Sequence, residues 1–115
     1  MTTAARVTEQ WLAVCPFDRL QPERGAAALI DGIQIALFHT LDGSLYALGN
    51  RDPFSGAQVL SRGIVGTRGN VPTVASPMYK QAFDLRTGGC LDDDAVRVAI
   101  YDVRVVGGQV EVRLP

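Results

Sequence analysis

Hydrophobic and polar residues alternate most regularly near the end of the chain. Residues 109–114 read Gln-Val-Glu-Val-Arg-Leu, in which every second side chain is apolar. A period of two places the apolar side chains on one face of a strand, so this pattern predicts a half-buried β-strand. Residues 96–106 alternate in a similar way. Gly107 and Gly108, which lie between the two stretches, suit a turn that needs positive φ.

Three further strands are predicted in the first half of the chain, where two Asp-Gly pairs mark turns. These pairs are Asp31 with Gly32 and Asp42 with Gly43. An Asp-Gly pair between apolar runs is typical of a two-residue hairpin turn. We therefore expect a meander of three consecutive antiparallel strands. The predicted strands cover residues 26–30, 34–39 and 44–49.

The pattern as a whole indicates an all-β fold. A first strand is predicted over residues 10–15, where Pro16 ends it. No stretch shows the sustained period of about 3.6 residues that marks a helix. Several short strands separated by turn signals favour a small antiparallel β-sandwich or barrel.

Residues 50–74 form the longest stretch without a clear pattern. Six glycines and prolines interrupt it: Pro53, Gly56, Gly63, Gly66, Gly69 and Pro72. Two apolar pairs within it, residues 59–60 and 64–65, are candidates for brief strands. Long irregular segments in compact domains usually carry function or an interaction surface, so we expect such a role here. A short strand is predicted after this segment, over residues 83–85.

Composition and charge narrow the possible functions. The chain has 115 residues, of which 47% are hydrophobic and 20% charged, proportions that fit a soluble globular protein. We expect one domain over residues 1–115, with residues 1–9 as a flexible lead-in. The net charge of −1, without a basic run, argues against nucleic-acid binding. No apolar stretch is long enough to span a membrane and no signal-peptide core is present, so we expect a cytoplasmic protein.

Few side chains suggest a catalytic or metal site. His39 is the only histidine, and a hydrogen-bonded or solvated residue at a strand end explains it better than a proton carrier or metal ligand. The acidic run at residues 92–94 does not match a calcium loop, so we interpret it as a solvated turn. Cys15 and Cys90 lie far apart and outside any Cys-x-x-Cys motif. We therefore expect reduced cysteines rather than a disulfide or a zinc site.

Two proline-containing loops carry the most informative pattern in the chain. The first reads Asp-Pro-Phe-Ser-Gly at residues 52–56, and the second reads Ser-Pro-Met-Tyr at residues 76–79. The second is followed by Phe-Asp-Leu-Arg-Thr-Gly at residues 83–88. Each loop alone is explained as an ordinary turn. Together, in this order and after a β-meander, they resemble the cluster-binding half of a Rieske protein.

A Rieske site holds its iron–sulfur cluster with two cysteines and two histidines, and each loop supplies one of each. The four corresponding positions in this chain are occupied by Asp52, Phe54, Ser76 and Tyr79. The loops are therefore similar to a Rieske frame from which every ligand has been replaced.

The chain resembles the small-subunit family of assimilatory NAD(P)H-dependent nitrite reductase, a Rieske-like family that lacks the cluster ligands. The resemblance covers roughly residues 11–114, and the segments that carry it most specifically are residues 52–55 and 60–66. The resemblance implies a Rieske-like fold with a two-loop subdomain that lacks the [2Fe-2S] cluster. It also implies a non-redox subunit with no catalytic residue, cofactor, metal or small-molecule substrate of its own. The implied partner is the large subunit, which carries FAD, sirohaem and an iron–sulfur cluster and reduces nitrite to ammonia.

Specific expectations for the loops follow from this resemblance. We expect Phe54 and Tyr79 to fill the vacated cluster site by packing between the loops. The expected contacts with the partner are polar residues that we predict to be exposed at the loop tips: Asp52, Arg62, Lys80 and Gln81. A sheet edge or the segment 50–74 is the rival contact surface.

Two other functions stay open at this point. One is a Rieske-type ferredoxin that carries electrons to an oxygenase, against which the missing cysteine and histidine ligands argue. The other is a free-standing β adaptor domain.

Overall fold

The computed structural model describes residues 10–114, so the predicted flexible lead-in at residues 1–9 lies outside the described residues. Within this range the chain forms strands and two three-residue 3-10 helices, and it contains no α-helix. The all-β prediction is confirmed. The strands are β1 (Trp11–Pro16), β2 (Arg24–Ile30), β3 (Ile33–His39), β4 (Leu45–Gly49), β5 (Ile64–Arg68), β6 (Val71–Ala75), β7 (Ala82–Asp84), β8 (Ile100–Val106) and β9 (Gln109–Arg113). The 3-10 helices are Phe17–Arg19 and Leu60–Arg62. Neither helix is long and apolar enough to cross a membrane.

The described strands form two antiparallel sheets. The larger sheet has the order β1-β9-β8-β4-β3-β2, and the smaller has the order β5-β6-β7. The predicted meander is present as β2, β3 and β4, which pair in sequence. β4 joins the terminal strands through two pairs of residues, Ala47 with Tyr101 and Leu48 with Ile100.

Strand β3 is the centre of the fold because both of its faces are buried. Ile35 and Leu37 point into a core that the larger sheet encloses and that also contains Val110 and Val112 of β9. Ala36 and Phe38 point into a second core, which lies between the larger sheet and the smaller one. Successive side chains of a strand face opposite ways, so a strand buried on both faces reads as a continuous apolar run. The second core supports the two loops, since Leu60, Val74 and Phe83 belong to it.

The segment 50–74 is more regular than the sequence predicts. Strands β5 and β6 form a hairpin in which Gly69 takes a positive φ of 63°. The prediction missed β6, because Pro72 and the frequent glycines favour an irregular chain. Burial explains the strand: Val74 is fully buried and packs in the same core as Phe83.

Other strands differ from their predicted bounds, and the difference is largest for β8. β8 begins at Ile100 rather than at residue 96, because residues 96–98 run along residues 88–90. There the Cys90 N–H donates to the Val96 carbonyl at 2.9 Å, and the Val98 N–H donates to the Gly88 carbonyl at 2.8 Å. β7 lies one residue earlier than predicted.

Candidate functional site

The first of the two facing loops, residues 50–59 (loop 1), is anchored at its base by Asn50. This side chain is buried, with 1% of its surface exposed. Its oxygen accepts a hydrogen bond from the Ser61 N–H at 2.7 Å, and its amide donates to the Gln58 carbonyl at 3.1 Å and to Gln34 Oε1 at 3.2 Å. One carboxamide therefore ties both ends of loop 1 to β3. This role of Asn50 was not predicted, because its position at the start of the loop was the one sign of it in the sequence.

The second loop, residues 76–81 (loop 2), is a compact turn between β6 and β7. The Ser76 N–H donates to the Gln81 carbonyl, and the Lys80 N–H donates to the Ser76 carbonyl, both at 2.9 Å. The Ser76 hydroxyl also accepts a hydrogen bond from the Met78 N–H at 3.2 Å. Lys80 closes the turn with a φ of 65°, a left-handed conformation that side-chain-bearing residues seldom adopt.

A hydrogen bond between Asp52 and Ser76 joins the two loops. The Ser76 hydroxyl donates to one carboxylate oxygen at 2.5 Å, and the Phe54 N–H donates to the other at 2.8 Å. Asp52 and Ser76 are almost completely buried, at 0% and 1% exposed. A buried carboxylate is stable only when its charge is compensated by hydrogen bonds or an ion pair, and these donors supply that compensation.

The same hydrogen bonds set the ionisation of Asp52. Burial raises the pKa of its carboxyl, but hydrogen bonds from Ser76, Phe54 and Ser55 together bring the pKa below its ordinary value. The ionised form is therefore the one that holds the two loops together. Two of the four positions that correspond to cluster ligands thus form the contact between the loops.

Phe54 and Tyr79, at the other two positions, behave differently from each other. Phe54 is half-buried and packs towards Phe83, with ring centroids 6.2 Å apart. Tyr79 is 59% exposed. The expectation that both rings pack between the loops is therefore wrong for Tyr79. The buried Asp52–Ser76 hydrogen bond joins the loops instead.

The four predicted partner contacts do not share one environment. Arg62 and Lys80 are exposed, whereas Gln81 is half-buried. The Oε1 atom of Gln81 is the one buried side-chain oxygen or nitrogen within residues 10–114 that has no hydrogen-bond partner. Asp52 is fully buried, so the prediction that it is exposed at a loop tip is wrong. Its side chain turns inward because Ser76 and the Phe54 N–H are the donors that its charge requires.

His39, Asp92 and the two cysteines, which were also singled out in the sequence, lie outside the two loops. His39 Nδ1 lies 3.3 Å from the Leu20 carbonyl, and its ring packs against Phe17. Asp92 forms an ion pair with Arg68 at 3.0 Å and accepts a hydrogen bond from the Ala82 N–H, so it is more than a solvated turn residue. Cys15 and Cys90 are free thiols, as expected.

Comparisons with known proteins identify the fold and the family. The Rieske-like [2Fe-2S] domain family matches residues 10–113. The nitrite reductase (NADH) small subunit of Salmonella typhimurium is 40% identical over 105 residues, which cover 90% of this chain and 97% of that protein. A crystal structure described as an NADH-dependent nitrite reductase small subunit from Mycobacterium tuberculosis superposes with a TM-score of 0.87. It is 52% identical and covers 90% of this chain and 94% of that one.

The chain belongs to the nitrite reductase (NADH) small-subunit family. The resemblance seen in the sequence is confirmed. A further relative of this small-subunit family is the nitrite reductase [NAD(P)H] large subunit of Klebsiella oxytoca. The matching stretch is 42% identical over 102 residues, which cover 89% of this chain and 11% of that protein.

Ferredoxins share the fold of this small-subunit family but are more distant. The ferredoxin of carbazole 1,9a-dioxygenase from Nocardioides aromaticivorans superposes with a TM-score of 0.79 and is 26% identical. It covers 92% of this chain and 99% of that one. The lower identity does not favour the alternative of an electron carrier.

The loop residues of this small-subunit chain do not fit a [2Fe-2S] cluster. Phe54 has no donor atom, and Asp52 and Ser76 are already bonded to each other in a buried contact. Clusters of this type are bound by thiolates and, in Rieske centres, by two imidazoles. Within residues 10–114 no three His, Cys, Asp or Glu side chains are grouped so that they could hold a metal ion.

Proposed function

We propose that this chain is the small, non-redox subunit of an assimilatory NAD(P)H-dependent nitrite reductase and acts by binding the large subunit. The large subunit would carry FAD, sirohaem and an iron–sulfur cluster and would reduce nitrite to ammonia. The observation that carries the proposal is the match to small subunits over nearly their whole length. The enzyme would work in the cytoplasm, where reduced nicotinamide is supplied.

The loops support a role in binding rather than in electron transfer. In place of cluster ligands they contain a hydrogen-bonded carboxylate and hydroxyl, Asp52 and Ser76, which hold the loops in one arrangement. A rigid pair of loops is a suitable docking element because little conformational freedom is lost on binding. The fused arrangement of the Klebsiella oxytoca relative, in which the matching stretch is part of a large subunit, supports the choice of partner.

The contact residues are part of this proposal. Arg62 and Lys80 are exposed beside the loops, and neither belongs to any ion pair within residues 10–114. Gln81, whose Oε1 has no hydrogen-bond partner in that range, is the third proposed contact. An acidic surface on the large subunit would complement the two cations.

Affinity purification tests the proposal directly. The tagged chain is expressed in cells grown on nitrate and recovered under mild conditions. A flavoprotein with the absorbance of sirohaem should co-purify with it. Recovery of the tagged chain without any sirohaem-containing partner would overturn the proposal and would leave a free-standing adaptor as the better explanation.

Iron analysis separates this role from that of an electron carrier. The chain purified alone should retain no iron after anaerobic incubation with iron and sulfide. Stoichiometric iron together with a reversible reduction signal would instead favour the ferredoxin role.

A further inference from the structure

An apolar row crosses the outer face of the smaller sheet, on the side away from the core. Ile64 pairs with Ala75, and Ala75 pairs with Ala82. Leu91 continues the row, since its N–H donates to the Ala82 carbonyl at 2.8 Å beside the Phe83–Cys90 bridge. Residues directly opposite each other on neighbouring strands share a face.

The adjacent row of residues on the same strands shows that the Ile64 row faces away from the core. Val74, Phe83 and Cys90 are all buried and lie in the core between the sheets. Because side chains alternate along a strand, the row that contains Ile64 and Leu91 faces outwards. Three strand spacings of about 4.8 Å make this outer row roughly 14 Å wide.

Large apolar side chains of the row and of loop 2 are exposed. Ile64 is 76% exposed and Leu91 is 38% exposed. Loop 2 connects the two central alanines of the row and adds Met78 and Tyr79, which are 49% and 59% exposed. We call Ile64, Met78, Tyr79 and Leu91 the apolar strip. Ala75 and Ala82 lie between Ile64 and Leu91 in the row, and Ala82 is only 6% exposed.

The two ends of the apolar strip carry opposite charges. Arg62 lies two residues before Ile64, whereas Lys80 follows Tyr79 in loop 2 and therefore lies beside the middle of the strip. At the other end, Asp93 and Asp94 follow shortly after Leu91 and are exposed. None of these four charged residues takes part in an ion pair within the part of the chain that the structure describes. Asp92, which lies between Leu91 and Asp93, forms an ion pair with Arg68.

We propose that the apolar strip is the centre of the surface that binds the large subunit, with Arg62 as a basic rim at the Ile64 end, Lys80 as a second cation beside the strip in loop 2, and Asp93 and Asp94 as an acidic rim at the Leu91 end. The partner surface would be apolar, with acidic groups facing Arg62 and Lys80 and basic groups at the Leu91 end. Exposed apolar groups with a polar rim are typical of protein–protein contacts. The opposite charges at the two ends would fix the orientation of the bound chain.

This inference rests on the proposed function and deepens it by naming the contact surface. Its test measures binding of purified large subunit to immobilised variants of the small subunit. Ile64→Ser and Tyr79→Ser should each weaken the affinity by about tenfold or more, because central apolar and aromatic contacts carry most of the binding energy. Circular dichroism and thermal unfolding establish that each variant is folded.

Matched controls come from other exposed leucines. Leu29 and Leu41 are 72% and 78% exposed, so they resemble Ile64 in exposure, but they lie on β2 and in the β3–β4 turn. Leu29→Ser and Leu41→Ser should change the affinity less than twofold. If they weaken binding as much as Ile64→Ser and Tyr79→Ser do, the apolar strip is not the contact surface.

Charge reversal tests the orientation. Arg62→Glu should slow association and reduce its dependence on salt, because rim charges act mainly on the association rate. Arg19→Glu, which reverses an exposed cation on the first 3-10 helix, should leave the association rate unchanged. Equal effects of the two substitutions would contradict the proposed rim.

The outcomes separate this inference from the proposed function. If the wild-type chain binds the large subunit and the strip variants bind equally well, the apolar strip is refuted and the proposed function stands. If the wild-type chain does not bind the large subunit, both are refuted. If sedimentation shows that the wild-type chain is a dimer and Tyr79→Ser is a monomer, the strip serves a second copy of this chain, and the inference is overturned.

Discussion

Replacing Asp52 by alanine should strongly destabilise the fold. The substitution removes the acceptor of two hydrogen bonds, from the Ser76 hydroxyl at 2.5 Å and from the Phe54 N–H at 2.8 Å. A buried donor that is left without a partner costs about 1–3 kcal/mol. We therefore expect Asp52→Ala to lower the free energy of unfolding by about 3 kcal/mol, a large share of the 5–15 kcal/mol that is typical of such domains.

Urea denaturation measures this loss. With a denaturant slope of about 1.5 kcal/mol/M, a loss of about 3 kcal/mol moves the unfolding midpoint by about 2 M. Ser76→Ala should cost about 2 kcal/mol, because it removes one charge-assisted hydrogen bond and leaves the other. The double variant should lose clearly less than the sum of the single losses, since the two side chains act as a pair.

Asp42 is a matched control for Asp52. Its carboxylate also accepts two hydrogen bonds, from the Thr40 hydroxyl at 2.6 Å and from the Ser44 N–H at 3.0 Å, but it lies exposed in the β3–β4 turn. Water can replace the lost acceptor there, so Asp42→Ala should be much less destabilising. If the two alanine variants unfold at the same urea concentration, the buried contact is not a significant tie between the loops.

Three further predictions concern individual positions. Burial raises the pKa of Asp52 in the folded chain, but the hydrogen bonds from Ser76, Phe54 and Ser55 together outweigh burial, so the pKa is lowered. The stability that it contributes is therefore complete above the ordinary value of 3.8 and is lost as the pH falls through the folded value. Asp52→Asn should show a shallower loss of stability below about pH 4 in acid unfolding, and an unchanged slope would contradict this. Gly25→Ala should destabilise the fold by about 3 kcal/mol or prevent folding. Its Cβ would lie 2.1 Å from the Ser61 carbonyl, whereas Gly66→Ala, with no atom closer than 3.9 Å, should be tolerated in thermal unfolding. Lys80→Gly should be about 1 kcal/mol more stable than Lys80→Ala in urea, because the φ of 65° favours glycine, and equal stabilities would refute the strain.

Local chemistry explains why much of the larger sheet could be predicted. The Asp31–Gly32 turn has both residues at positive φ, 50° and 79°, as the two-residue hairpin requires. The alternation in β9 matches its burial, since Val110 and Val112 are fully buried and the alternating residues Gln109, Glu111 and Arg113 are not. These features depend on neighbours in sequence. They are therefore visible without the fold.

The arrangement of the two loops, in contrast, depends on contacts between residues that are far apart in the sequence. Asp52 and Ser76 are 24 residues apart, and each reads as a turn residue in its own loop. The sequence therefore gave no direct sign that one would be buried against the other, and it suggested that Asp52 would be exposed and that Tyr79 would fill the gap. The polar contact forms because a buried carboxylate needs donors, which the Ser76 hydroxyl and the Phe54 N–H supply.

The residue pattern alone was sufficient to predict an all-β protein with hairpins at Asp-Gly and Gly-Gly turns and with two loops that resemble a Rieske frame. Short-range propensity and alternation are sufficient for that much, because they act over a few residues. The tertiary structure decided that residues 71–75 form a strand and that Asp52 closes the loops from inside. It also placed Ile64 and Leu91 on one exposed face. These outcomes follow from burial, which depends on residues brought together from distant parts of the chain.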